Sequence, residues 1–254
     1  MAFERLIPGT VEWELYFANH IFRYRFALDQ LKLHDKKKVL DAACGVGYGS
    51  KFLLENGMKP VVGVDINVEA LKIANKDFSH ADLVFIEDDC HTLDRAKQYG
   101  TFDSIVSFET LEHLPKPLSF LRQCFSMLEQ NGLLILSTPN ALVTSPDGKT
   151  TWAYHEKEYT PEEFLGLLRE AGFSNVTLYG QGYTATGIFR QQVRGELNKI
   201  NSNPFMRMGR WLQRTLKGRW FGATMPEQLE DFEIVPEKSF LSNQPFVLLA
   251  TAVK

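Results

Sequence analysis

The segment VLDAACGVGYGS, residues 39–50, constrains the fold more than any other part of the chain. A short apolar run ends in an acid, and Gly45, Gly47 and Gly49 then alternate with other residues before a helical pattern begins. A strand that passes through a glycine turn into a helix is the opening unit of a parallel sheet, since parallel neighbours need a long crossover, usually a helix. Glycines in such a turn allow positive φ and let the backbone approach a ligand closely. The crevice at the carboxyl ends of the strands is where sheets of this kind bind ligands.

The same pattern continues along the chain. VVGVDI (61–66), LVFIE (83–87), SIVSFE (104–109) and LLILST (133–138) read as strands. Between them lie helical stretches from Tyr48 to Glu55, from Val68 to about Lys76 with Asn67 as cap, and from Leu118 to Leu128. Thr160-Pro161-Glu162-Glu163 opens a further helix that ends at Gly172. Short apolar runs separated by helices predict a doubly wound α/β fold with a sheet covered on both faces. FSNVTLYG and the terminal FVLLATAV predict a late antiparallel pair. Residues 11–33 predict an aromatic-rich helix. Residues 184–240 break into aromatic, basic and Pro-containing pieces and read as a lid without a sheet element. The expected organisation is a helical cap (1–36), a cofactor-binding domain (37–183 plus 241–254) and a lid (184–240).

Composition excludes several classes. The 254 residues are 44% apolar and 23% charged, ordinary values for a globular chain. A formal net charge of -3 gives no global sign of nucleic-acid binding. Three cysteines without a CxxC spacing support neither a disulfide framework nor a zinc knuckle. With no signal-like start and no long apolar run, the expectation is a cytoplasmic protein.

Acids at the strand ends sharpen the ligand. Asp65, about 20 residues beyond Gly45, is placed to accept both hydroxyls of a ribose. Asp89-Cys90 offers an acid and a backbone N–H to an adenine edge, although Glu87-Asp88-Asp89 leaves the register open by one residue. Asp41, ahead of the glycines, suits an ammonium group, which a dinucleotide pyrophosphate lacks. Nicotinamide-dependent enzymes share a glycine turn of this general kind, but residue 50 is Ser and no GxGxxG is completed.

VLDAACGVGYGS, VVGVDIN, EDDCHTL, FDSIVSFETLEHL and LEQNGLLILSTPN resemble, in order, the motif series of class I S-adenosylmethionine-dependent methyltransferases. The resemblance covers about residues 37–140, and the late strands extend it. It implies a seven-stranded Rossmann-like sheet of order 3-2-1-4-5-7-6 with the seventh strand antiparallel, and S-adenosyl-L-methionine as cofactor. Asp41, Cys44, Gly45 and Gly47 would surround the methionine and ribose portion. Asp65 would hold the ribose, Asp89 and Cys90 the adenine edge, Ile66 and His91 the ring faces, and Phe108 the sulfonium neighbourhood. Ala43 stands where many relatives have Gly.

ERLIPG, His20, Arg23-Tyr24 and YHEKEYTPEEFLGLLREAGF (154–173) resemble a bacterial subgroup associated with surface-polysaccharide pathways. That resemblance implies a small-molecule acceptor: a sugar, nucleotide sugar or glycolipid. It also implies that Arg23 or Tyr24 binds the cofactor carboxylate. Other acceptors (a phenol, a carboxylic acid, an amine) stay open, as does a catalytically silent cofactor-binding subunit. The absence of a [DNS]PP[YFW] motif argues against a nucleic-acid substrate.

Removal of a hydroxyl proton would call for a base. His113 is the candidate, with Glu109 or Glu112 orienting it, and His155 is expected to contact the acceptor. Packing beneath the turn at Pro115 is the structural alternative for His113. No ligand spacing compels a metal, and none is entered. Finally, eight Arg or Lys against the single acid Glu196 fill residues 190–219. Residues 205–220 within it suit a membrane surface, a nucleotide-sugar phosphate, or plain packing with a solvated basic face.

Overall fold

A computed structural model describes residues 6–150, 152–202 and 226–254, with the side chains of 196–202 set aside. The strands are β1 (Val39–Ala42), β2 (Val61–Asp65), β3 (Leu83–Glu87), β4 (Phe102–Phe108), β5 (Leu128–Pro139), β6 (Ser174–Tyr183), β7 (Phe232–Pro236) and β8 (Val247–Val253). The helices are α1 (Val11–Leu33), α2 (Tyr48–Glu55), α3 (Val68–Phe78), α4 (Pro117–Met127), α5 (Ala141–Thr144), α6 (Pro161–Glu170) and α7 (Ala185–Ser202). Among the described residues the sheet runs β3-β2-β1-β4-β5-β8-β6-β7. β1 is parallel to β2 and β4, β2 to β3, and β4 to β5. β8 is antiparallel to both β5 and β6.

This is the expected layout with one strand added at the edge. β7 lies inside the stretch read as lid without sheet, which corrects that reading. FEIVP buries only Phe232 and Val235, so its apolar signal is short and interrupted, as suits an edge strand.

Every residue of β1 and β2 is buried. Leu40, Ala42, Val62, Val64, Ile105, Leu134 and Leu136 join one core cluster with Phe120, Leu121 and Phe164 from the covering helices. Burying each of the larger side chains is worth roughly 1.5–3 kcal/mol. Helix ends follow their local chemistry: Asn67 accepts from Ala70 N, and Thr160 with Glu163 forms a capping box.

The chain divides into two compact units, Ile21–Gly182 with Ile234–Lys254, and Leu6–His20 with Tyr183–Glu233. In the second, Arg194 Nη1 donates to Glu227 Oε1 (3.1 Å), and Arg190 Nη1 donates to Asp231 Oδ1 (2.8 Å). Tyr183 also donates to Glu227 (3.1 Å), whose backbone N–H reaches Leu15 O (3.1 Å). Two cations of the basic stretch are thus paired with acids distant in sequence. Residues 205–220 lie outside the described residues. Among those described, no helix is long and apolar enough to cross a membrane.

Candidate active site

The glycine turn leaves β1 at its carboxyl end. Ala43 (φ 61), Gly45 (φ 58) and Gly47 (φ 86) all take positive φ. An L-residue at Ala43 accepts strain that glycine would avoid. At Gly47 a Cβ would lie 2.6 Å from Phe85 Cζ, and at Gly49 it would lie 1.9 Å from Tyr24 Cζ. Both positions therefore require glycine for close approach, one to Phe85 of β3 and one to α1.

Asp41 is fully buried. Ser50 Oγ donates to it at 2.6 Å and the Tyr24 hydroxyl faces both its oxygens at 3.2 Å. Burial pushes its carboxyl up to about 7, against the opposing effect of those hydrogen bonds. A buried carboxylate in this state gains from any cation brought beside it. The Tyr24 ring packs edge-on against Phe108 (centroids 4.8 Å apart) and Tyr48 (6.0 Å). Two further aromatic rings thus pack on the tyrosine that faces Asp41, an arrangement that suits a positively charged ligand.

Asp65 ends β2 and accepts from Gly45 N and Asn67 N, both at 2.8 Å. Ile66 beside it is 64% exposed, a large apolar surface at the mouth of the crevice. Burial distinguishes the acids of Glu87-Asp88-Asp89. Asp88 is buried and accepts from the backbone N–H of Asp89, Arg95 and Ala96, so it holds the following turn. Asp89 is the half-exposed acid, with His91 N and Nδ1 each 2.8 Å from its Oδ1. The hydrogen bond from the His91 backbone leads in holding its carboxyl below the usual range. His91 Nε2 is buried with no hydrogen-bond partner among the described residues. Cys44 and Cys90 are buried beside these acids.

On α1, Arg23 is buried and donates through Nη1 to Gln181 Oε1 at 3.1 Å, whereas Arg25 is exposed. Arg23 is therefore no surface charge of the helix.

The carboxyl ends of β4 and β5 carry the second group of expected residues. Glu109 (φ 51) follows β4 directly; its Oε1 accepts from Ser137 Oγ at 2.7 Å, and its N–H donates back at 3.1 Å. A short 3-10 turn, Leu111–His113, then presents Glu112 and His113. Glu112 is fully buried, and Thr138 Oγ1 donates to its Oε2 at 3.0 Å. Burial, with the nearby charge of Glu109, pushes its carboxyl well above the usual range. Its backbone carbonyl accepts from Glu156 N (2.7 Å), which ties the loop carrying His155 to this turn.

The rings of His113 and His155 pack edge to face, centroids 4.8 Å apart. His113 Nδ1 lies 3.0 Å from Tyr154 O, and His155 Nδ1 lies 2.7 Å from Glu158 Oε1. The orienting bond on His113 Nδ1 is thus to a backbone carbonyl, where the sequence suggested Glu109 or Glu112. Burial opposes ionisation of Glu158, but hydrogen bonds from Thr144, His155 and Ser145 outweigh it and hold the carboxyl below the usual range. Carbonyl and carboxylate both accept, so Nδ1 of each histidine is the donor in its pair. A carboxylate oxygen of Glu112 and one ring nitrogen of each histidine lie within 4.8 Å of one another. The exposed Trp152 stacks on His155 at 6.2 Å.

Sequence reasoning named most of this set but missed Tyr48, Ser50, Ser137, Thr138, Tyr154 and Glu158. Only Tyr48 and Ser50 had a signal, since they lie inside the glycine segment at the start of α2.

Asp41 within β1, Asp65 at the end of β2 and Asp89 two residues beyond β3 lie along three adjacent parallel strands beside a glycine turn, the arrangement of a Rossmann-like domain. The family model described as a methyltransferase domain matches residues 18–178, and the chain belongs to that family. The cofactor of this family is S-adenosyl-L-methionine, and the residues present are compatible with it: Asp41 is a buried acid, Asp65 lies at the end of β2, and the His91 Nε2 beside Asp89 has no hydrogen-bond partner among the described residues.

The chain is 29% identical over 178 residues to a probable S-adenosylmethionine-dependent methyltransferase of Mycobacterium tuberculosis, covering 70% of this chain and 62% of that protein. It therefore spans less than two thirds of that relative's length. It is also 28% identical over 164 residues to a ubiquinone biosynthesis O-methyltransferase of Vibrio campbellii, covering 58% of this chain and 68% of the relative. A SAM-dependent methyltransferase structure from Thermotoga maritima shares the fold, with a TM-score of 0.60 at 14% identity, over 96% of this chain and 95% of the other.

Proposed function

We propose that this protein transfers a methyl group from S-adenosylmethionine to a hydroxyl oxygen of a small-molecule acceptor, a sugar, nucleotide sugar or glycolipid being the favoured class. The observation that carries the reading is the Glu112–His113–His155 cluster. Tyr24 touches both Asp41 and Phe108, the last residue of β4. The turn bearing His113 begins just beyond that aromatic wall.

The cofactor supplies an activated methyl on a sulfonium sulfur. The chain's own residues orient both partners and receive the acceptor proton. Much of the rate in such a displacement comes from positioning. Asp41, Asp65 and Asp89 fix the cofactor. His113, with Nδ1 held by the Tyr154 carbonyl, offers Nε2 to an acceptor hydroxyl as general base. His155 and Trp152 contact the acceptor. An exposed indole suits the apolar face of a sugar or an aromatic ring, and the motif of residues 154–173 supports the sugar. The name of the Vibrio relative supports transfer to oxygen.

The test is turnover with a panel of nucleotide sugars, free sugars, phenols, carboxylic acids and amines, with the product located by mass spectrometry. O-methylation of a sugar is expected. O-methylation of a phenol alone would correct the acceptor class, and N-methylation would overturn the reading. Cofactor binding without turnover on any acceptor would favour a silent partner subunit. In the active enzyme His113→Ala should lower kcat by about 10²–10⁴-fold. Full turnover by that variant would remove the base.

A further inference from the structure

We infer that Glu112, His113 and His155 form a binding site for a divalent first-row transition-metal ion, of the class of Zn²⁺, Co²⁺ or Mn²⁺. The three donors come from two segments distant in sequence, and the Glu156 N to Glu112 O bond (2.7 Å) holds those segments together. Their ligand atoms lie within 4.8 Å of one another. Ligands about 2.1 Å from an ion sit roughly 3–4 Å apart, so side-chain rotation suffices to close the site.

Two further features point to a cation. Both rings share a feature of metal-bound histidines, one ring nitrogen held by a carbonyl or carboxylate. Here the holders are Tyr154 O (3.0 Å) and Glu158 Oε1 (2.7 Å). Independently, Glu112 is fully buried, and while Thr138 serves its Oε2, its Oε1 has no hydrogen-bond partner among the described residues. A buried polar atom of this kind calls for an explanation, and an ion is one. Two imidazoles and a carboxylate select a transition metal over Ca²⁺ or Mg²⁺, which prefer all-oxygen shells. Three protein ligands leave a coordination position open to an oxygen.

The site stands on this geometry. Its use, polarising the acceptor hydroxyl in place of proton capture by His113, rests on the reading under Proposed function. With an ion bound, His113 would serve as a ligand; the cation would acidify the hydroxyl, whose proton would pass to bulk water as the oxygen takes the methyl carbon and the sulfonium sulfur leaves with the C–S electron pair as a thioether.

The test uses the full chain, stripped with chelator and titrated with Co²⁺ by calorimetry and visible absorption, with neither acceptor nor cofactor present. One Co²⁺ per chain is expected, with absorption bands of a histidine-ligated ion that Zn²⁺ abolishes. Glu112→Gln, His113→Ala and His155→Ala should each weaken binding by about 100-fold or more, and Glu158→Gln by about 10–100-fold. Retained S-adenosylhomocysteine binding shows that each variant is folded. Absence of stoichiometric Co²⁺, Zn²⁺ and Mn²⁺ binding overturns the site, as does unchanged affinity in a folded His113→Ala/His155→Ala double variant. Failure here leaves His113 as the base. Binding of Co²⁺ with turnover indifferent to chelation upholds the site and removes only its part in the reaction.

Discussion

Asp41 is where burial, proton and cofactor meet. Its carboxyl titrates at about 7 in the folded chain because burial disfavours its charge. Below about pH 4 both folded and unfolded chains hold the proton. As pH rises from there the unfolded carboxyl ionises first, so the folded state loses stability by this group until about pH 7, after which the loss is complete. Denaturant midpoints for wild type and Asp41→Asn should accordingly converge at low pH and separate toward pH 7, the variant being insensitive there. A cofactor ammonium beside Asp41 favours the ionised form, so binding at pH 6 should release a proton. Calorimetry in buffers of different ionisation enthalpy reads that proton directly, and equal heats in phosphate and Tris would exclude the pairing.

At the scale of elements, the close approach of α1 to the start of α2 is the most exacting contact. Gly49→Ala would place a methyl 1.9 Å from Tyr24 Cζ. Accommodation must push α1 outward, at a cost of about 1–3 kcal/mol, and draw the Tyr24 hydroxyl off Asp41. Urea unfolding should show that loss together with weaker S-adenosylmethionine binding, and a wild-type profile would mean that Tyr24 has room to swing aside.

The parallel strands were legible because β1 and β2 are buried throughout and so read as unbroken apolar runs ended by Asp41 and Asp65. β7 was not, since an edge strand of five residues leaves too little pattern. The acids expected at the cofactor stood out because each lies at or near the end of a strand. The histidine cluster was legible only as separate residues. His113 and His155 meet through a backbone bond between two loops, and no spacing in the sequence encodes that bond. The partners of Arg190 and Arg194 in the basic stretch were hidden for a related reason: the acids paired with them lie at 227–231.

Over the whole molecule, the three cysteines report on global opening. Cys44, Cys90 and Cys124 are free and buried. Burial pushes all three thiols up, Cys90 to about 12. Because the thiolate is the reactive form, the native chain at pH 8 should react slowly with a disulfide reagent and release three equivalents only on unfolding. One fast thiol in the native protein would show that its region opens locally.

The placement of β8 also dictates an order of events. It is made after every other strand, yet it lies between β5 and β6 and joins them. On the ribosome, β1 to β5 can pair as they emerge, while β5 keeps a bare hydrogen-bonding edge and β6 has no neighbour on that side. Such an edge invites pairing with a foreign strand. Between the completion of β5 and the arrival of β8 the nascent protein is an open half-sheet, and that interval is when a chaperone would matter most.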